Sequence, residues 1–295
     1  MVSVIGAGAW GSAIYHAISQ KIDAVITSRR KRNIEGFVSL EDALKNEYLI
    51  IVIASQSIRE FLIKNKEKIK NKKILVASKG IDNKTNKFLN EIFEEFIDSK
   101  NLAFISGPSF AKEVKENKPT ALVIASKNEK LANEFSSFFP EFIKIYKSDD
   151  VIGVEVAGAY KNVIAIASGI CEGLNLGNNA KAALISRGLV EMDRFGEFFE
   201  AKKDTFLGVA GAGDLFLTAN STMSRNYRVG LNLAKGKIIK DILSELGEVA
   251  EGVYTTKAIY NISTKNKIYT PIANEVYKVI YEGKKVKESL RDLLS

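Results

Sequence analysis

The chain has 295 residues, 46% hydrophobic and 26% charged, with a formal net charge of +8; this is an ordinary globular composition and a length for about two domains. One Cys (Cys171) and one His (His16) leave no internal disulfide framework and no usual ligand set for zinc or iron, so no metal is expected. The basic balance would draw anionic ligands without assigning a function, and no apolar run reads as the roughly 18–20 residues of a membrane span, so stable membrane insertion is not expected.

MVSVIGAG runs from Met1 straight into a strand without a charged leader, which together with the lone Cys makes the expected location cytoplasmic. That strand, Val2 to Ile5, leads into GAGAWG with Gly6, Gly8 and Gly11, and then into a helical pattern through Gln20. A glycine triplet between strand and helix has a physical reason. The first glycine permits a tight turn, the second lets backbone approach a pyrophosphate, and the third lets the helix pack on the strand. The helix N-terminus then offers free N–H groups to the phosphates. Trp10, inside this turn, covers the cofactor or packs on the sheet; the sequence leaves both open.

Ala24 to Ser28 reads as the second strand. An acidic residue at its end would hold the adenosine ribose hydroxyls. The chain carries Arg29 and Arg30 there instead, and two guanidiniums suit a 2′-phosphate, which favours NADPH. Strand-length apolar runs follow at Leu49–Ala54, Lys73–Ser78, Leu102–Ser106, Ala121–Ala125 and Phe142–Tyr146, separated by helical patterns such as Thr85–Ile97 and Glu129–Phe138. The densest basic block, Lys64 to Lys73, holds no aromatic residue; it reads as a solvated helix face, and no nucleic-acid partner is expected. Lys79-Gly80 and Ser106-Gly107-Pro108-Ser109, which leads into a short helix at Phe110–Glu116, end two of the strands. Ligands in such sheets lie beyond the C-terminal strand ends, so both tips could face a nicotinamide or be plain strand termini.

From about Asp149 the strand rhythm stops. Asp149 caps a long helix through Gly169, Gly173–Asn178 is loop, and a second long helix runs to about Phe199. Within the first of these helices Lys161 stands among Ala, Gly, Val and Ile. Gly208–Leu217 reads as close packing and a turn that presents Asp214. Arg225 with Asn226, near the start of a further helix, could clamp a phosphate, because Arg offers a planar donor fork. His16 and Cys171 read as structural. The expected fold is α/β: a Rossmann-like, doubly wound, largely parallel sheet over residues 1–148 and an all-helical domain over 149–295. Apolar faces in that second half permit a homodimer without requiring one.

These residues resemble a known family, the bacterial NAD(P)-dependent sn-glycerol-3-phosphate dehydrogenases. The matching segments are GAGAWG at 6–11, SKG at 78–80, SGPSFAKE at 106–113, GAYKNVIAIASG at 158–169, NNAKAALISRGLVEM at 178–192, GAGDLFLT at 211–218, SRNYRVG at 224–230 and VAEGVYTT at 249–256. They come in the family's order and span nearly the whole chain. The resemblance implies reduction of dihydroxyacetone phosphate to sn-glycerol 3-phosphate with NADPH or NADH, supplying glycerophospholipid synthesis. It makes Lys161 the catalytic proton donor and acceptor. It places Lys79, Gly107, Ser109, Asp214, Ser224, Arg225 and Asn226 at substrate positions, and Gly6, Gly8, Ala9, Trp10, Gly11, Arg29, Arg30, Lys79, Ala111, Arg225, Val249 and Glu251 at cofactor positions. Two departures fall on the cofactor side: Asn33–Leu40 replaces a longer insert after the second strand, and Ala54 stands where the third strand ends in proline. Two other readings compete with this one. The first is another two-domain NAD(P)-dependent reductase of a keto or hydroxy acid, which would not depend on a substrate phosphate. The second is a nucleotide-sensing DNA-binding protein, which would need a recognition helix or basic arm.

Overall fold

Seven short strands and fifteen α-helices account for most of the described residues, 1–247 and 249–294, of the computed structural model. The chain divides into a sheet unit, Met1–Lys79 with Leu89–Val154, and a helical unit, Gly80–Phe88 with Glu155 onward. The division therefore falls a few residues beyond 148, and it assigns a short early segment to the helical unit.

In the sheet unit the order along the chain is β1 (Val2–Ile5), α1 (Ala9–Ile18), β2 (Ala24–Thr27), α2 (Leu40–Ala43), β3 (Tyr48–Ile51), α3 (Ile58–Ile69), β4 (Lys73–Val76), α4 (Leu89–Glu94), β5 (Leu102–Ser106), α5 (Ala111–Lys115), β6 (Thr120–Ala125), α6 (Glu129–Ser137) and β7 (Ile143–Ser148). The strands lie in the order β2-β1-β3-β4-β5-β6-β7. The first five are mutually parallel, β6 runs antiparallel to β5, and β7 runs parallel to β6. The near-continuous apolar runs are explained by burial: β1 and β5 are buried along their whole length, as strands covered on both faces must be. Alternate side chains sort to the two faces. Val2, Val4, Ile26, Ile50, Leu75, Ala103 and Ile105 pack with Ala13, Ile14 and Ala17 of α1, Val114 of α5 and Phe135 of α6. On the opposite face the Ser3 hydroxyl donates to the Ala43 carbonyl of α2 at 2.7 Å.

Both sheet edges are blunted, as exposed edges invite pairing with other chains. β7 carries Lys144 and Lys147. Beside β2 the short Asn33–Leu40 segment supplies a bridge of its own, with the Ile26 amide donating to Gly36 at 3.0 Å and the Val38 amide to Ile26 at 2.9 Å. Tyr15 of α1 pins this segment by donating its hydroxyl to the Glu35 carbonyl at 2.7 Å.

The helical pattern read over Thr85–Ile97 forms a helix at Leu89–Glu94 alone. The preceding residues make a local turn instead. The Asp82 carboxylate accepts from the Thr85 amide at 3.0 Å and its hydroxyl at 2.6 Å, and Asn86 sits at φ +57°. Asp, Asn and Thr offer their own backbone such bonds and so compete with a helix. The Phe88 ring then packs edge-on against Phe199 at 5.0 Å, within the helical unit.

The rest of that unit is α7 (Val151–Gly173, whose first turn belongs to the sheet unit), α8 (Gly177–Glu197), α9 (Lys203–Leu207), α10 (Asp214–Ala219), α11 (Arg225–Ala234), α12 (Ile239–Leu246), α13 (Glu251–Asn266), α14 (Pro271–Tyr281) and α15 (Val286–Leu294). Asp150 rather than Asp149 caps α7, its carboxylate accepting from the Gly153 amide at 3.0 Å. The helix also runs on to Gly173, so the connection to α8 is three residues, not the longer loop expected. By length and composition α7 could cross a membrane, but 89% of its most apolar 18-residue window is buried within the fold. It crosses α11 closely: a Cβ on Gly169 would lie 2.1 Å from the Tyr227 carbonyl oxygen, and one on Gly230 2.0 Å from that of Ile166. Glycine at both positions lets the two backbones meet.

Candidate active site

The strand order reverses direction about β1 and β3, and in open α/β sheets that switch point is where ligands bind, beyond the strands' carboxyl ends. The glycine turn after β1 sits there. Gly6 takes φ +120° with its α-carbon against the Val52 carbonyl, where a Cβ would come within 2.3 Å of the oxygen. A Cβ on Gly11 would lie 1.7 Å from the Gly6 oxygen, so that glycine is what seats α1 on the strand. At Gly8 a Cβ would meet no atom within 4 Å. The middle glycine thus opens space where the other two close it, and no side chain caps the first turn of α1. Exposed backbone N–H groups at a helix start with open space before them fit a dinucleotide pyrophosphate. Ala9 is exposed beside them, and the buried Trp10 indole Nε1 has no hydrogen-bond partner within the protein.

At the end of β2 the Ser28 hydroxyl donates to the Arg30 carbonyl at 2.7 Å, which turns the chain so that Arg29 and Arg30 are both exposed. At the ends of β4 and β5 three expected residues converge on one atom. The Gly107 carbonyl accepts from Lys79 Nζ at 3.4 Å and from the Ser109 hydroxyl at 3.0 Å, with Gly107 itself at φ +129°. Ala111 opens α5 a turn later and packs on the core.

In the helical unit Lys161 projects from α7 into a nearly dry interior, 6% exposed, and donates to the Asp214 carboxylate and to the Thr218 hydroxyl, the latter at 3.2 Å. Asp214 is 1% exposed and starts α10; Thr218 stands one helical turn later and donates to the same carboxylate oxygen at 3.3 Å. The glycine cluster before them is no phosphate loop. Val209–Gly213 forms a single widened turn, packed so tightly that a Cβ on Gly211 would lie 2.2 Å from the Phe206 carbonyl oxygen. That packing is what places Asp214.

Asn162 follows Lys161. Its side-chain Oδ1 accepts from Asn226 Nδ2 at 2.9 Å, and Asn226 Oδ1 accepts from the Gly252 amide at 3.0 Å. Asn226 is therefore engaged at both ends of its amide, while Arg225 beside it opens α11 half-buried. Ser224 caps that helix, accepting from the Tyr227 amide at 3.2 Å. Glu251 opens α13, and Val249 just before it is 42% exposed. On the other side of Lys161, Tyr160 is fully buried and donates to Glu191 at 2.8 Å. Burial pushes the Tyr160 hydroxyl well above the ordinary phenol range, and burial likewise pushes the Glu191 carboxyl up. Among the described residues no group of three His, Cys, Asp or Glu side chains stands in metal-binding reach.

Sequence reasoning gave no role to Thr218, Asn162 or Glu191. Thr218 carried one usable signal, its spacing of four from Asp214 on a helix. Asn162 and Glu191 find partners 64 and 81 residues away, which no local pattern encodes.

Comparison with known proteins bears on the whole chain. Residues 30–132 match the model of the NAD-dependent glycerol-3-phosphate dehydrogenase N-terminus, and residues 150–291 that of its C-terminus. The chain is 60% identical over 294 residues to glycerol-3-phosphate dehydrogenase (NAD(P)+) of Campylobacter lari, covering 100% of this chain and 97% of the relative. It is 58% identical over 293 residues to that of Nitratiruptor sp., with 99% and 97% covered. The crystal structure of glycerol-3-phosphate dehydrogenase from Coxiella burnetii superposes with a TM-score of 0.93 at 32% identity, covering 100% of this chain and 98% of that one. With a glycine turn shaped for a dinucleotide and a buried lysine–aspartate pair, the chain belongs to the NAD-dependent glycerol-3-phosphate dehydrogenase family.

Proposed function

We propose that this protein reduces dihydroxyacetone phosphate to sn-glycerol 3-phosphate, reversibly, with Lys161 as the proton donor, and so supplies glycerophospholipid synthesis. The observation that carries the assignment is the ammonium of Lys161 held in a nearly dry helix interior by Asp214 and Thr218. A nicotinamide coenzyme held at the Gly6–Gly11 turn would supply the hydride for the C2 carbonyl carbon. As that carbon is reduced, its oxygen gathers negative charge and must take a proton. Lys161 gives it, ending as the neutral amine, and in the reverse direction takes it back. Before the proton moves, the ammonium also stabilises the developing charge, an effect that grows where water is excluded. Asp214 and Thr218 hold Nζ to one place, so the proton is delivered along a fixed direction. Arg225 grips the substrate phosphate with its planar fork, and Asn226, tied to Asn162 and Gly252, steadies the turn from which Arg225 projects. The phosphate contributes binding remote from the reacting carbon. Lys79, Gly107 and Ser109 line the sheet unit's ligand end, and Val249 and Glu251 complete the cofactor set.

The exposed Arg29 and Arg30, with no acidic residue at the end of β2, support NADPH as the better coenzyme. The protein acts in the cytoplasm without a nucleic-acid partner. In the basic block Lys64 pairs with Glu60, Lys66 with Glu67, Lys68 with Glu41, and Lys73 with Glu47 and Glu134, so most of its charge is answered within the protein. Replacing Lys161 by Ala tests the central role. Turnover should fall by at least about 100-fold, the scale of general acid catalysis, with the coenzyme still bound; near-normal turnover in that variant would end the assignment.

A further inference from the structure

Three consecutive residues of α7 are each tied to a different part of the helical unit. Tyr160 donates to Glu191 of α8 at 2.8 Å, Lys161 to Asp214 and Thr218 of α10, and the Asn162 oxygen accepts from Asn226 of α11. Successive residues of a helix point about 100° apart, so these bonds restrain α7 from three directions. Hydrogen bonds are directional where apolar burial is not, so they add a rotational restraint to the close packing of α7 on α11. Glu191 is one foot of this tripod. It is 2% exposed, and it also accepts from the backbone amides of Ile272 and Ala273, each at 2.9 Å, at the start of α14. Thr270, in the capping position there, makes no side-chain cap, so a carboxylate from another helix serves instead. Capping α14 needs two of the bonds Glu191 accepts; the third goes to the neighbour of Lys161.

We propose that Glu191 is a positioning residue for the proton-transfer step: through the Tyr160 hydroxyl it sets the rotation of α7 and thereby where Lys161 presents its ammonium. The proposal rests on the reading of Lys161 as the acid. The Glu191 carboxylate is held between α8 and the first turn of α14, so it is a fixed point against which α7 is registered. A displacement of roughly 1 Å at a reacting group can cost about 100-fold in rate, which makes a remote tether of this helix consequential for chemistry.

The test compares Tyr160→Phe, Glu191→Gln, the double variant and Lys161→Ala. For each, kcat and KM are measured with dihydroxyacetone phosphate and NADPH, beside a thermal unfolding midpoint. Tyr160→Phe keeps the ring and the cap of α14 while removing the tether, and should lower kcat about 10-fold with KM for the ketone within about twofold. Glu191→Gln leaves Tyr160 one acceptor oxygen but sets an NH2 group against an α14 amide that donated to the carboxylate; by loosening the same link it should lower kcat similarly, and the double variant should lose no more than the larger single loss. Unchanged kcat in folded Tyr160→Phe, with only the midpoint lowered, would overturn the proposal and leave Glu191 a structural cap. Normal turnover in Lys161→Ala would instead overturn the reading beneath it. If Glu191→Gln fails to fold, Tyr160→Phe decides the matter alone.

Discussion

Lys161 and Asp214 are both almost fully buried, so replacing either one alone strands the other's charge where water cannot solvate it. Removing one partner of such a pair typically costs about 3–5 kcal/mol, whereas replacing both by apolar residues of similar volume is often neutral or stabilising. Asp214→Asn should therefore lower both stability and turnover. Lys161→Met combined with Asp214→Leu should recover most of the stability in urea unfolding while remaining inactive. Recovered activity in that double variant, or full stability in Asp214→Asn, would show that the pair is not what it looks like. At this scale the sequence was informative where chemistry is conspicuous: a lone lysine in an apolar run and an aspartate after tight glycines. It was silent where a residue matters through its partner. Glu191 reads as one more charge on a helix, and only the fold turns it inward to Tyr160 and α14.

Elements were legible wherever a periodic apolar pattern ran its full length, as in the seven strands, α1 and the two long helices. They were misread where side chains compete with the backbone, as in the turn around Asp82, and where a helix end depended on which of two aspartates reaches back to it. Packing between helices was not legible. Gly169 and Gly230 look like poor helix formers, yet α7 and α11 meet there. Gly230→Ala should improve intrinsic helix propensity by up to about 1 kcal/mol, and overpacking typically costs about 1–3 kcal/mol. With a Cβ only 2.0 Å from a backbone oxygen, the clash should win and the urea midpoint should fall; a raised midpoint would refute the close crossing. The final helices offer a titration test. Burial alone would push the Glu275 carboxyl up, but hydrogen bonds from Lys278, Lys284 and Ser289 outweigh it and hold the group below its ordinary value. A carboxyl lowered on folding adds stability above its unfolded pKa and loses it as pH falls through the folded one. Glu275→Gln should therefore be less stable than the parent at neutral pH, with the gap between their unfolding midpoints narrowing below about pH 4. A gap independent of pH would place the role of Glu275 in packing instead.

Taken whole, the chain forms a sheet unit and a helical unit, and its rhythm changes from alternating strand and helix to helix upon helix near Asp149. The abrupt change of period falls where the seven-stranded sheet ends and α7 begins, whereas the short Gly80–Phe88 segment of the helical unit was hidden within the run of strands and helices. The most direct measurement of the central claim follows nicotinamide absorbance with the pure protein and dihydroxyacetone phosphate, using NADPH and NADH in parallel and unphosphorylated dihydroxyacetone as the control. Oxidation of coenzyme with the phosphorylated ketone alone, faster with NADPH, is the predicted result. Equal rates with and without the phosphate, or no oxidation with either coenzyme, would contradict it.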